Sequence, residues 1–318
     1  MKRVLITRRL FAQIVDSLAD IAQVDYHDED ALLPRAELLR RVADRQGLMA
    51  VLTDRIDAEL LDSAPQLKVV SNVAVGFNNI DVAACTARGV MVTNTPGVLD
   101  ETTADLVFAL LLASARRIVA ADRWTRDGRW QGWKFHDDWM GQDVHGATLG
   151  ILGMGRIGGA VARRAAGFGM HVTYHNRTPL PETQAQWVSR ETLFADSDFV
   201  VVMVPYSPAT HHLIGAAEIG AMKPTAHLIN VARGGVVDDA ALIGALAARR
   251  IGGAGLDVFE KEPALDARYF ALDNVTLTPH IGSSTRATRL AMARCAAANL
   301  RAALTGERPP NLVNAEAA

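Results

Sequence analysis

Residues 153–158 read Gly153-Met154-Gly155-Arg156-Ile157-Gly158, directly after the apolar run 149–152 and directly before a helical-period segment carrying Val161, Ala162 and Ala165. This placement constrains the fold more than any other feature. The first glycine permits a tight turn, the second lets backbone approach a pyrophosphate, and the third lets helix and strand pack closely. A bare G-x-G-x-x-G match carries little weight, but a strand before it and a helix after it make a dinucleotide-binding βα unit, with phosphates at the helix N-terminus. A glycine-rich turn without a ligand is the plainer alternative.

The rest of the chain repeats that alternation. Strand-like runs at 4–7, 51–53, 69–73 and 90–93 alternate with helical-period segments, which predicts a parallel sheet. Thr95-Pro96-Gly97 then punctuates the pattern, and one long helix is expected from about 101 to 127, followed by an aromatic-rich loop with Trp124, Trp130, Trp133, Phe135 and Trp139. A second series of strands is expected at 149–152, 172–174, 199–204, 227–230, 254–258 and 275–278, and a helix over 284–304 that ends at Gly306 and Pro309-Pro310. With 318 residues the chain is long enough for two α/β domains.

Charge and composition narrow the partner. The 33 Lys+Arg and 35 Asp+Glu leave a formal charge of −2 with no block of like sign, so neither a nucleic-acid nor a membrane partner is expected, and the ligand is a small molecule. The apolar stretch 104–115 is interrupted by Asp105 and too short for a membrane span, so it reads as a buried helix. The basic Met1-Lys2-Arg3 precedes a run too short for an export signal, which leaves a cytoplasmic location as the expectation. Cys85 and Cys295 have no paired spacing, so neither a disulfide framework nor a metal site is expected.

Cofactor choice is read at the end of the strand after the glycine turn, where an acidic residue would hold the ribose 2′-hydroxyl of NAD. The run there is Tyr174-His175-Asn176-Arg177-Thr178, with no carboxylate. Asn176, Arg177 and Thr178 offer neutral or cationic donors for a 2′-phosphate, so NADP(H) is the expected cofactor, with NAD(H) possible. The alternative for Arg177 is a solvated surface charge.

Three later segments each place polar residues just beyond a predicted strand: Asn230-Val231-Ala232-Arg233, Asp257-Val258-Phe259-Glu260-Lys261-Glu262 and Thr278-Pro279-His280-Ile281-Gly282. Arginine clamps a carboxylate through paired hydrogen bonds, and histidine delivers a proton to an oxygen that gains charge. Together they suit a 2-oxo acid. A carboxylate on the second imidazole nitrogen would orient the ring, and both Glu262 and Asp257 are candidates.

These segments, with the glycine turn, the run 95–105 and the run 73–81, resemble the D-isomer-specific 2-hydroxyacid dehydrogenases over nearly the whole chain. The resemblance implies a doubly wound Rossmann NAD(P)-binding domain, 99–281, inserted into a flavodoxin-like substrate domain formed by 1–98 and 282–318, with the active site in the cleft between them. It implies Arg233 as the residue orienting the substrate carboxylate and carbonyl, Glu262 as the histidine's partner, and His280 as proton donor. It further implies that the backbone N–H groups of Val75 and Gly76 hold the substrate carboxylate. Cofactor contacts are implied at Thr103, the turn Gly153 to Gly158 (Met154, Arg156 and Ile157 included), Val204, Pro205, Val231, Ala232, Asp257, Gly282 and Ser283. Trp133 is implied as a residue reaching a partner's substrate pocket in a homodimer. Within the family the chain is most similar to glyoxylate/hydroxypyruvate reductases, in the bacterial branch that also reduces 2-ketogluconate, on the stretch from Asp138-Trp139 to Gly158. The chain ends at Ala318 soon after its last helix, so no serine-responsive regulatory domain is expected. The rival readings are an NAD(P)(H)-sensing binding protein, or a dehydrogenase for D-lactate, 3-phosphoglycerate, formate or phosphite on the same scaffold.

Overall fold

The computed structural model describes residues 1–137, 139–181, 183 and 185–317; Asp138, at one end of the stretch behind the branch resemblance, and the terminal Ala318 lie outside the described residues. The chain divides into two units, Met1–Leu99 with Ser284–Ala318, and Asp100–Ser283.

The first unit holds a parallel sheet of β1 (Lys2–Ile6), β2 (Ala22–Tyr26), β3 (Gly47–Ala50), β4 (Val69–Asn72) and β5 (Met91–Thr93), in the order β2-β1-β3-β4-β5. That order is the flavodoxin-like one, whose ligand-binding side lies beyond the strand C-termini. Helices α1 (Ala12–Asp16), α2 (Arg35–Val42), α3 (Ala58–Ser63) and α4 (Val82–Ala87) connect the strands. Leu38, Leu60, Leu61 and Cys85 from the last three pack with Leu5, Leu48, Val70 and Val92 of the sheet.

One expectation for this unit fails, and one strand carries no signal in the sequence. The strand expected at 51–53 is a turn, closed by Val51 N–H donating to the Asp54 carboxylate at 2.8 Å, and the strand itself lies earlier at Gly47–Ala50. Gly47, Leu48, Met49 and Ala50 carry no β-branched residue, so burial rather than propensity sets that strand. The edge strand β2 was not expected, because its polar Gln23 and Asp25 break the apolar run that marked the others.

The second unit opens with α5 (Asp100–Ala115) and α6 (Ile118–Arg126). Its strands are β6 (Thr148–Leu152), β7 (His171–His175), β8 (Gln186–Trp187), β9 (Phe199–Val202), β10 (His227–Asn230), β11 (Gly253–Leu256) and β12 (Val275–Leu277). All pair in parallel, in the order β12-β11-β10-β9-β6-β7-β8. The order reverses on either side of β6, which makes the sheet doubly wound. Helix α7 (Arg156–Ala166) follows β6, and α8 (Arg190–Asp196), α9 (Ala216–Ala221) and α10 (Asp239–Ala247) complete the crossovers. Both faces are apolar: Phe199, Val201 and Ile229 pack with α5 and α7, whereas the alternate residues Val200, Val202 and Leu228 pack with α8, α9 and α10. This alternation is why the strands read as unbroken hydrophobic runs. Helix α11 (Arg286–Thr305) then belongs to the first unit, where Ser71 donates to the Ala296 carbonyl at 2.8 Å and Gly306 ends it in a left-handed cap at φ 87°.

The single long helix expected over 101–127 is two helices. Arg117 adopts φ 51°, ψ 34°, which breaks the chain between α5 and α6, and its side chain reaches Asp273 at 3.1 Å and the Trp139 ring at 5.2 Å. No glycine or proline marks the break, so tertiary contacts alone reveal it. Trp124 consequently lies in α6 rather than in the aromatic loop.

His227 opens β10 in the core, with Nδ1 at 2.7 Å from the Ser114 hydroxyl and its ring stacked on Phe199. Burial pushes its pKa down to about 4. The unfolded chain therefore binds a proton near the ordinary value of about 6.5 that the folded chain refuses. The associated stabilisation is present above that value and is lost as pH falls from there to about 4. It is worth about 3 kcal/mol once fully lost. Denaturant titrations from neutral pH to pH 4 are expected to show His227→Gln losing this part of the pH dependence; an identical slope in both proteins would refute it.

Candidate active site

Beyond the C-terminus of β6 the chain turns at Gly153 with φ 103°. A Cβ there would lie 2.8 Å from the Met203 carbonyl carbon and 2.9 Å from Val204 N. At Gly158 it would lie 2.5 Å from the Gly153 oxygen, so α7 can approach β6 only with glycine at both positions. Gly155 differs, because a Cβ there meets no atom within 4 Å. Gly155 is also the N-cap of the 11-residue α7 and supplies no side-chain cap, so the first amides of that helix keep their hydrogen-bonding capacity for an anion. Met154 is buried, Arg156 is exposed, and Ile157 is partly buried against the core.

Asn176 has a different task from the one expected. Its Oδ1 accepts from Met154 N–H at 2.7 Å and its Nδ2 donates to the Met154 carbonyl at 3.3 Å, so the carboxamide clips the glycine turn rather than standing free for a 2′-phosphate. Arg177 and Thr178 are exposed, and among the described residues no hydrogen bond or ion pair engages either side chain. The indole of Trp187 donates to the Asn176 carbonyl at 3.0 Å and fixes the backbone of this strand end. An open glycine, uncapped helix amides and a strand end without carboxylates fit a dinucleotide.

A second cluster lies at the ends of β10 and β11. A Cβ on Gly282 would stand 3.3 Å from Val231 Cγ1, 3.4 Å from Asp257 Oδ2 and 3.6 Å from Thr103 Cγ2, so these four residues meet. Asp257 is buried and accepts from Thr278 Oγ1 at 2.7 Å and from the N–H groups of Ile281 and Gly282 at 2.8 Å each. Burial outweighs these hydrogen bonds and raises its carboxyl pKa. It braces the segment that carries His280. Ala232 N–H donates to Asn230 Oδ1 at 3.1 Å, and Asn230 Nδ2 donates to the Arg233 carbonyl at 3.0 Å. Val204 and Ser283 are half-buried and Pro205 is exposed.

Of the two carboxylates considered for His280, Glu262 makes the contact: Nδ1 lies 2.6 Å from Glu262 Oε2. Oε1 of the same carboxylate accepts from Phe259 N–H at 2.9 Å. Burial by itself would raise the Glu262 pKa, but the hydrogen bond and charge of His280, the Phe259 amide and the Arg233 charge together lower it. An ionised Glu262 can only accept, so Nδ1 carries the hydrogen and Nε2 is left to face a ligand. Burial lowers the pKa of Arg233, and the Glu262 carboxylate opposes that shift. Gly234 makes this approach of loops feasible, since a Cβ there would lie 1.8 Å from the Phe259 oxygen. His280 itself sits at φ 55°, in the left-handed region. Asn230, Gly234 and the Phe259 amide have no role assigned from the sequence, although Asn230 and Phe259 lie in two of the segments singled out there.

In the first unit, Val75 and Gly76 follow β4. Asn94 Nδ2 donates to the Val75 carbonyl at 2.8 Å and Asn72 Nδ2 to the Gly76 carbonyl at 2.9 Å. Among the described residues no hydrogen bond takes up either N–H, so this loop presents two donors. Trp133 is 78% exposed, with Phe135 edge-on at 6.1 Å.

Comparison with known proteins gives a consistent picture. The family model described as D-isomer specific 2-hydroxyacid dehydrogenase, NAD binding domain, matches residues 108–282. A glyoxylate reductase of Thermococcus gammatolerans is 49% identical over 99% of this chain and 96% of its own. The crystal structure of a Thermus thermophilus protein superposes with a TM-score of 0.93 at 47% identity, covering 98% of this chain and 100% of that one. An NADPH-dependent glyoxylate/hydroxypyruvate reductase of Sinorhizobium meliloti, solved with NADP and malonate, gives a TM-score of 0.88 at 33% identity over 99% and 97% of the two chains.

Proposed function

Because the chain belongs to the D-isomer specific 2-hydroxyacid dehydrogenase family, and is thus a nicotinamide-dependent oxidoreductase of 2-oxo and 2-hydroxy acids, we propose that it reduces glyoxylate, hydroxypyruvate and 2-ketogluconate to D-2-hydroxy acids with NADPH. The observation that carries this reading is the His280–Glu262 pair at 2.6 Å beside Arg233.

When bound, the nicotinamide supplies the hydride that reduces C2 of the 2-oxo acid. The glycine turn and the N-terminus of α7 would hold the pyrophosphate, Thr103, Asp257, Gly282 and Ser283 would hold the nicotinamide end, Val231 and Ala232 would add cofactor contacts, and Val204 and Pro205 would lie near the adenosine. Arg233 orients the carboxylate and carbonyl and offsets the charge that develops on the oxygen. The N–H groups of Val75 and Gly76 would donate to the substrate carboxylate. His280 gives the proton from Nε2 to that oxygen, and Glu262 holds the ring through Nδ1 while offsetting the charge of the imidazolium.

NADPH preference is supported by the missing carboxylate at 174–178 and by the exposed Arg177. Arg177→Ala is expected to raise the KM for NADPH by about 10-fold or more, as loss of a charged hydrogen bond of roughly 1.5–3 kcal/mol implies, and to leave the KM for NADH nearly unchanged. Equal effects on both cofactors would refute a 2′-phosphate contact. The exposed Trp130, Trp133, Phe135 and Met140 support a homodimer rather than a monomer. No helix among the described residues is long and apolar enough to cross a membrane.

A further inference from the structure

Outside the site described above, one cluster of side chains among the described residues has the chemistry of a cation site: His211, His212 and Glu260, each with a ligand atom within 4.8 Å of the others'. Adjacent residues of an extended chain point to opposite sides. Here His212 takes φ 50°, and the two imidazoles instead stack with centroids 3.9 Å apart and planes 24° apart. Glu260 arrives from the loop after β11 and places Oε1 3.2 Å from His212 Nε2.

The geometry points to a site for a single borderline divalent cation, of the Zn²⁺, Co²⁺ or Ni²⁺ kind, held by His211, His212 and Glu260. Two imidazoles and one carboxylate suit these metals and leave a coordination position for water. Metal–ligand bonds of about 2.0–2.2 Å in a tetrahedron put neighbouring donors about 3.3 Å apart. The His212–Glu260 contact at 3.2 Å already has that spacing, and only His211 must close in.

The surroundings resemble those of a ligating histidine. Tyr206 OH lies 3.3 Å from His211 Nδ1, so the phenol holds one ring nitrogen and leaves Nε2 for the ion. The turn before the histidines is firm: Ser207 N–H donates to Thr210 Oγ1 at 2.7 Å, and Thr210 Oγ1 donates to the Pro205 carbonyl at 2.8 Å. His212 N–H donates to the Gly235 carbonyl at 2.7 Å, and Glu260 N–H to Asp239 at 3.2 Å. A bound ion would tie the segment after β9 to the loop that carries Glu262, adding a cross-link to the second unit without entering the proton path.

Co²⁺ titration of the tag-free full chain, followed by visible d–d absorption, tests the site. One Co²⁺ per chain is expected to bind, Zn²⁺ to displace it, and Zn²⁺ to raise the Tm. His211→Ala and Glu260→Gln are each expected to weaken binding by at least 10-fold, and Tyr206→Phe by about 10-fold, the low end for loss of an outer partner. His211→Ala is expected to leave NADPH-dependent turnover unchanged, which also reports that the variant is folded. Absence of Co²⁺ absorption in the wild-type protein would overturn the proposal. So would binding that survives both ligand substitutions, or binding that inhibits turnover equally in wild type and His211→Ala, which would place the ion at His280 and Glu262.

Discussion

Replacing His280 with alanine is expected to lower kcat for 2-oxo acid reduction by about 10²- to 10⁴-fold, the range for removal of a general acid, while NADPH still binds. The argument rests on which nitrogen is available. Glu262 holds Nδ1 at 2.6 Å, and its own second oxygen is anchored by the Phe259 amide, so the ring cannot turn without breaking its contact to a fixed carboxylate. A pre-oriented Nε2 removes the orientational cost of proton transfer. The backbone at φ 55° complicates a simple alanine substitution, since left-handed geometry disfavours alanine by roughly 1–2 kcal/mol. His280→Asn serves as the partner variant, because asparagine tolerates that conformation and lacks the titrating ring. Both variants are expected to lose turnover alike and to retain tryptophan quenching by NADPH. Undiminished turnover in either one would remove His280 from the mechanism.

The second large effect is expected in the glycine turn, where two neighbouring substitutions should part company. Gly153→Ala forces a Cβ to 2.8 Å from a backbone carbonyl carbon at φ 103°, and no side-chain motion relieves it. Strained backbone and overpacking each cost about 1–3 kcal/mol, so a loss of about 3 kcal/mol or more in the stability of the second unit is expected. Gly155→Ala meets no atom within 4 Å, so unfolding should be almost unchanged. Yet the added methyl occupies the side that a pyrophosphate must approach, and dinucleotide affinity is expected to fall by about 10-fold or more. Stability and affinity are thus separated at positions two residues apart. A Gly155→Ala protein that binds NADPH normally would show that the dinucleotide does not lie against this turn.

Much of the architecture was legible because both faces of each central strand are buried. A run such as Phe199–Val202 is then apolar from end to end, and the glycine turn marks where the dinucleotide-binding sheet starts. What escaped depended on contacts distant in sequence. The break at Arg117 is held by Asp273 and Trp139, with no local breaker residue. The strand Gly47–Ala50 has no β-branched residue to announce it. The polar segments after β10, β11 and β12 were visible as candidates, but the choice between Asp257 and Glu262 was not. Asp257 is engaged by the amides of Ile281 and Gly282, and Glu262 is left to meet the ring. Asn176 was read as a free donor because Met154, its partner, lies 22 residues earlier. His211 and His212 likewise gave no signal as a pair with Glu260, which lies 48 residues after His212.

The central claim, reduction of a short 2-oxo acid by NADPH, is tested most directly by the loss of NADPH absorbance when the purified protein meets glyoxylate, hydroxypyruvate or 2-ketogluconate. The account predicts steady turnover, faster with NADPH than with NADH, and D-glycerate as the product from hydroxypyruvate. Tight binding of NADPH with no consumption across the three acids, or formation of L-glycerate, would contradict it.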